Sequence, residues 1–380
     1  MDTIYLDNSA TTPLLAAVWE AMRPFGTDVY GNPASAHGAG RRARQALEDA
    51  RELTAAVLGA HPDEVVFTSG ATEANNLALF GLAGDAPGHL VTSAVEHPSV
   101  SEPVRQLAAL GFAVDRLPVD PAGVVRAEAL SGCLRPDTRL VSVMLANHET
   151  GAVQPVARLA AELDGRAAFH CDAVQAAGKI PLHFHDLGVT TLAVSAHKFH
   201  GPKGVGALLV RRQAGLRPRT WGGHQQQSRR PGTEPVALAV GLATALDLWQ
   251  READARTGHV RRLRRLFLEH VRAADPVIVN GPTEADAGLP HTLNLSFPGC
   301  RADSLLMNLD LAGVACSTGS ACSSGSLLPS PVLQAMGVPE AVLHSAMRFS
   351  LSPLLTEAEV AEGARRIVAA VQRLRKTGEG

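Results

Sequence analysis

Short apolar runs alternate with stretches of helical period along most of the chain. Glu64–Thr68 (EVVFT), His89–His97 (HLVTSAVEH), the run 112–117 (FAVDRL), Arg139–Asn147 (RLVSVMLAN), Phe169–Asp172, Thr191–Val194 and Val205–Val210 are predicted strands. Between them, Arg41–Ala60, the run 74–83 (ANNLALFGLA), Pro98–Leu110 and Val156–Leu163 carry helical periodicity. This alternation predicts an α/β fold with a mainly parallel sheet covered by helices on both faces. Ligands in such folds sit at the carboxyl ends of the strands. His97, Asn147, Asp172 and Lys198 each fall at or just past a predicted strand end. A long Ala/Leu/Arg-rich stretch, Val236 to about Ala274, reads as one amphipathic helix whose arginine run forms a solvated face. It links to a second region holding the predicted strand His291–Pro298, a helix in ADSLLMNLDLAG and a strand in MRFSL.

Bulk properties narrow the classes. A chain of 380 residues with 46% hydrophobic and 19% charged residues buries a large core, in one large domain plus a smaller one. A net charge of −2 argues against nucleic acid or an anionic membrane surface as a partner. No apolar run approaches a membrane span, and MDTIYLDNSATT lacks the regions of a signal peptide, so a cytoplasmic protein with reduced thiols is expected. Five cysteines without CxxC spacing make neither a disulfide framework nor a zinc site. HFHD and HKFH lack the helical pairing or cysteine partners of a metal centre, so none is expected at His148, His183, His185, His197 or His200. Cys133, Cys171 and Cys316 read as core residues and Cys300 as a turn residue. Cys322 falls in CSTGSACSSGSLLPSPVL, a Ser/Gly-rich loop where a thiol is exposed and able to react.

The pair Asp172 and Lys198 stands at neighbouring strand ends. Pyridoxal phosphate needs such a pair: an amine to hold it and an anion to keep its pyridinium nitrogen protonated. Lysine is otherwise scarce, confined to Lys179, Lys198, Lys203 and Lys376. Ser69-Gly70-Ala71-Thr72-Glu73 opens a helix after a strand, either as a phosphate site at the positive helix end or as a plain N-cap. Thr233, after Pro-Gly, reads as a phosphate contact, in this or a second subunit, or as a cap. His97 suits stacking on a flat cofactor or proton transfer. Arg348, in a strand, suits a substrate carboxylate or a structural ion pair.

YLDNSATTP, GNPASAHGAG, FTSGATEANNLAL, EHPSV, NHETG, HCDAVQAAGK, SAHKFHGPKG, RRPGTEP, GSACSSGSLLPS and MRFSL, in this order, span nearly the whole chain. Together they resemble the cysteine desulfurases of the iron–sulfur-cluster and nitrogen-fixation type, among the class V aminotransferase-like enzymes. The resemblance implies fold type I, with a large domain over residues 13–259 and a small one from residues 1–12 and 260–380, working as a homodimer. It implies that Lys198 holds the cofactor, Asp172 partners the pyridine nitrogen, His97 stacks on the ring and Gln175 bonds its phenolic oxygen. Ala71, Thr72, Ser195 and His197 would hold the phosphate, with Thr233 supplied by the other subunit. Asn147 and Arg348 would hold the carboxylate of L-cysteine, and Cys322 would take its sulfur as a persulfide, release L-alanine and deliver the sulfur to an acceptor or scaffold protein of iron–sulfur assembly. Ser9, His148, Leu328 and Ser352-Pro353 depart from the family pattern. The alternatives are another pyridoxal phosphate enzyme of this fold, an aminotransferase or a selenocysteine or cystine lyase, and a non-catalytic sulfur carrier.

Overall fold

The computed structural model describes residues 2–284, 287–318 and 329–377. Strands β1 (Ile4–Tyr5), β2 (Val65–Thr68), β3 (His89–Ser93), β4 (Ala113–Leu117), β5 (Thr138–Ser142), β6 (Ala168–Asp172), β7 (Thr191–Ser195), β8 (Gly206–Val210), β9 (Ile278–Asn280), β10 (Thr292–Ser296), β11 (Val314–Ala315) and β12 (Ala346–Ser350) form three sheets among the described residues. The largest has seven strands in the order β2-β8-β7-β6-β5-β3-β4. All of them run parallel except β8, which is antiparallel to both β2 and β7. The strands match the expected ones to within a few residues. The largest difference is at Arg139–Asn147, where the ladder stops at Ser142 and the chain continues as a buried, irregular segment towards the site.

The apolar runs are continuous because both sheet faces are buried. On β7, Leu192 and Val194 enter the main core while Ala193 joins Val66, Leu208 and Val210 on the opposite face. The helix Gly38–Leu58 and the first part of the helix Val236–Val271 cover one side. The helix Ala71–Ala83 packs on the other, through Ala74, Leu77 and Ala78. Cys171 is fully buried as expected; Cys133 and Cys316 are only partly buried, Cys133 because it ends a short helix.

A second core gathers around the antiparallel sheet β12-β10-β9. Phe349 stacks there on Phe267 and Phe297, with ring centroids 5.3 and 6.3 Å away. No irregular linker divides the two cores along the long helix: its residues Val236–Leu246 belong to the first and Val260–Val271 to the second. The solvated-arginine expectation fails at one position. Arg264 is 7% exposed and donates to the Thr292 carbonyl, because its face of the helix packs against β10. The N-terminal segment ties the cores together. β1 pairs in parallel with β11, the Ser350 N–H donates to Leu6 O at 2.7 Å, and the Thr12 N–H donates to His197 O at 2.9 Å. Among the described residues no helix is long and apolar enough to cross a membrane.

Candidate active site

At the carboxyl ends of the parallel strands lies a cavity of about 470 Å³. Ala71, Thr72, His97, Asp172, Gln175, Ser195, His197 and Lys198 all line it, from four different chain segments. A parallel sheet does this by construction, since consecutive strands deliver their ends to one rim. Asp172 ends β6 itself and Lys198 follows β7 by three residues, in a turn of 3₁₀ helix.

The Lys198 ammonium is aimed by backbone. Its Nζ donates to Ser9 O at 2.7 Å and to Ala10 O at 2.9 Å. The Gln175 amide donates to the same Ser9 carbonyl at 3.0 Å, and its buried Oε1 has no protein partner among the described residues. YLDNSATTP therefore acts through main-chain oxygens of residues 9 and 10, and the serine side chain at position 9 turns away to Thr292.

Asp172 is held in a polar relay that sequence inspection missed. Its Oδ1 accepts from the Val174 N–H at 3.0 Å and its Oδ2 from Asn75 Nδ2 at 2.8 Å. Asn75 Nδ2 also donates to Ser99 Oγ at 2.9 Å, and Ser99 Oγ lies 2.7 Å from His97 Nδ1. His170 Nε2 completes the set at 3.0 Å from Asn75 Oδ1. His97 is also the N-cap of the helix Pro98–Ala109, accepting from the Ser99 N–H at 3.0 Å. Its cap role and its ring's place on the cavity wall share one geometry. The sequence sign of Asn75 was one of two adjacent asparagines in a mostly apolar helix, which has many ordinary causes.

The helix Ala71–Ala83 opens at the other end of the cavity. Its N-cap is Gly70, with φ 151° and no side-chain cap, so no side chain occupies the first N–H groups. A side chain at Gly206 would collide with Gly70 Cα, 2.9 Å from the position of its Cβ, and this lets β8 approach the turn closely. Glu73 accepts from the Ser69 N–H at 2.6 Å and pairs with Arg230, which ties the turn to the RRPGTEP segment.

Three sequence candidates stand off the wall among the described residues. Asn147 is fully buried and its amide is consumed locally, donating to Val95 O at 3.0 Å and accepting from the Glu149 and Thr150 N–H groups. Its neighbour His148 lines the cavity instead, its ring edge-on to His97 with centroids 5.1 Å apart. Arg348, 2% exposed on β12, donates to His148 O at 3.1 Å and pairs with Asp7 at 2.8 Å, and its Nε has no partner among the described residues. Thr233 is exposed and away from this cavity. Cys322 and Leu328 lie outside the described residues.

Burial sets the protonation of the wall. It pushes His148 well below the usual histidine range, and the nearby His97, Arg348 and Lys198 push it the same way. Burial lowers His170 to about 3 and, with Lys198 and Lys203 adding, His197 to about 4. His200, off the cavity, is held near 4 by burial and Lys179. Each folded-state value lies below the ordinary 6.5, so the unfolded chain binds protons first. Their contribution to stability is therefore complete above pH 6.5 and is lost as pH falls from 6.5 through about 4 to about 3. Urea unfolding across that window should show a steady loss of stability, in excess of the carboxylate contribution. A flat profile above pH ~4.5 would contradict the neutral burial of these rings.

Residues 4–362 match the family model described as Aminotransferase class-V. A cysteine desulfurase IscS of Dictyoglomus turgidum is 44% identical over 364 residues, covering 94% of this chain and 91% of that protein. A solved NifS-like protein superposes with a TM-score of 0.92 at 37% identity, covering 98% of this chain and all of the other. The structure titled "SspA in complex with cysteine" superposes with a TM-score of 0.82 at 35% identity, covering 93% of this chain and 100% of that one. The chain belongs to the class-V aminotransferase family, and within it to the cysteine desulfurases.

Proposed function

We propose that the protein takes sulfur from L-cysteine as a persulfide on Cys322, releases L-alanine, and hands the sulfur to an acceptor protein of iron–sulfur assembly. The observation that carries this reading is the convergence of Lys198 and the Asp172–Asn75–Ser99–His97 relay on one cavity at the strand ends.

The wall fits pyridoxal phosphate. The uncapped helix start at Gly70-Ala71-Thr72, with Ser195 and His197 beside it, suits a phosphate. Asp172 suits the ring nitrogen. The Gln175 side chain, one end anchored on Ser9 and the other without a protein partner, suits the phenolic oxygen. When bound, the cofactor supplies an electron sink for carbanion character next to the amino nitrogen of the substrate.

The chain's own groups divide the remaining work. Lys198 Nζ, aimed from Ser9 and Ala10, carries protons to and from the substrate α-carbon. The Asn75 amide and the Val174 N–H, both donating to Asp172, hold its carboxylate in place. Arg348, oriented by Asp7, together with the Asn147 turn, shapes the carboxylate end of the substrate site. The Cys322 thiolate attacks the substrate sulfur. An S–S bond forms, the substrate C–S bond breaks, and the carbon gains a proton to become the methyl group of alanine. No outside oxidant is required. The Ser/Gly-rich sequence around Cys322 suits a thiol that must serve two sites in turn.

We also assign the protein as a homodimer, with Thr233 of one protomer reaching the phosphate end of its partner's site. Its exposure, on a segment tied to Glu73 through Arg230, supports this assignment. The small domain is taken as residues 1–12 and 260–380, because Ile4, Leu6 and Val260 onward share the second core.

The test is a paired assay of the wild type and Cys322→Ser, reconstituted with pyridoxal phosphate and given L-cysteine and a thiol reductant. Both should show the yellow band of the bound cofactor, and only the wild type should release alanine and sulfide in equal amounts. A serine variant turning over cysteine at the wild-type rate would replace the persulfide reading with a pyridoxal phosphate lyase.

A further inference from the structure

A second, much smaller cavity, about 30 Å³, lies at the seam between the two cores, lined by Lys179, His200, Trp249, Arg256, His291 and Pro353 among others. It has no part in the chemistry above, and its charge balance is unusual. Lys179 is 8% exposed, and its Nζ donates to the Lys198 carbonyl at 2.6 Å. Arg264 is 7% exposed and is bonded to a carbonyl. No carboxylate pairs with either among the described residues. Arg256 is neutralised by Glu252 and Arg348 by Asp7.

His291 adds an independent sign. It is 2% exposed, lines this cavity, and neither ring nitrogen has a partner among the described residues. The charged and titratable groups acting on it are Lys179, Arg264, Arg348 and His200, and those acting on Lys179 are Lys198 and Arg256. Every one is a cation or a histidine. His200 Nδ1 is engaged with Pro13 O at 3.0 Å. Buried cations without counter-charge are costly, as is an orphaned buried imidazole. One negative guest relieves both.

We propose that this cavity binds a single halide-sized anion, chloride in practice, between the Lys179 ammonium and a His291 ring N–H. The space holds only a few water-sized bodies, too little for sulfate or phosphate with their hydrogen-bonding oxygens. Burial and the neighbouring cations lower Lys179 to about 7, so a bound anion also keeps Lys179 charged near neutrality and secures its bond to the Lys198 carbonyl.

Thermal unfolding of the reconstituted full chain at constant ionic strength, with chloride replacing gluconate, reads this site without reference to turnover. The wild-type midpoint should rise and saturate with chloride, by about 1–3 °C. The rise should be larger below pH ~7 than above it. Lys179→Met and His291→Phe should abolish the dependence. Should Lys179→Met fail to fold, His291→Phe decides alone. Equal midpoints in the two salts, or variants that respond as the wild type does, overturn the proposal. Bromide-soaked crystals give the direct reading: an anomalous peak between Lys179 and His291 supports the site, and water alone at that position refutes it.

Discussion

Replacing Lys198 with alanine should cut alanine and sulfide release from L-cysteine by at least about a thousandfold, since in the proposed mechanism it removes both the amine that holds the cofactor and the proton carrier. The loss should be specific to chemistry. Lys198 Nζ donates to the carbonyls of Ser9 and Ala10, and the side chain lines a cavity that water can fill. The unfolding midpoint of the variant should therefore stay close to that of the apo wild type, while the yellow band of the reconstituted protein disappears. A Lys198→Ala protein with comparable turnover would sink the assignment of this cavity as the active site. A variant that failed to fold would instead point to a structural lysine.

The second large effect is structural. Phe349→Ala should destabilise the protein by about 3–5 kcal/mol, the range for removing a fully buried aromatic from a core that cannot collapse around the void. Phe349 has no exposed surface and touches Phe267 on the long helix and Phe297 after β10, so its loss opens a cavity with rigid elements on two sides. It is also the residue after Arg348, whose guanidinium reaches Asp7 and His148 O across the seam. Loosening β12 should weaken substrate binding as well as stability, so KM should rise more than kcat falls. Urea unfolding measures the first effect and steady-state kinetics the second. A cost below about 1 kcal/mol would mean that the second core contributes little to global stability.

Much of this site was legible in the chain for a simple reason. In a parallel sheet the strand ends share one rim, so polar residues closing apolar runs fall together. His97, Asp172 and Lys198 did so. What stayed hidden has equally physical causes. The acceptors that aim Lys198 are backbone carbonyls, and a carbonyl carries no sequence signature. Asn75 matters because one turn of the helix Ala71–Ala83, packed on the sheet face, reaches the end of β6, a tertiary fact that helical periodicity does not contain. Asn147 was placed on a strand end, yet the ladder stops at Ser142 and the asparagine is spent on organising the following turn. Arg264 was assigned to solvent because it sits in a run of arginines, and only the packing of β10 against that helix turn buries it. The long helix was legible as the link between the two parts, and Val236–Val271 does run through both cores.

The proposed mechanism turns on Cys322 as the sulfur carrier. The most direct measurement is the mass of the Cys322 peptide after the reconstituted protein has met L-cysteine without reductant and its thiols have been alkylated. The peptide should be heavier by one sulfur atom, which is lost on adding reductant and absent from Cys322→Ser. Alanine released while that peptide stays unmodified, or the extra sulfur found on Cys316 or another cysteine, would contradict it.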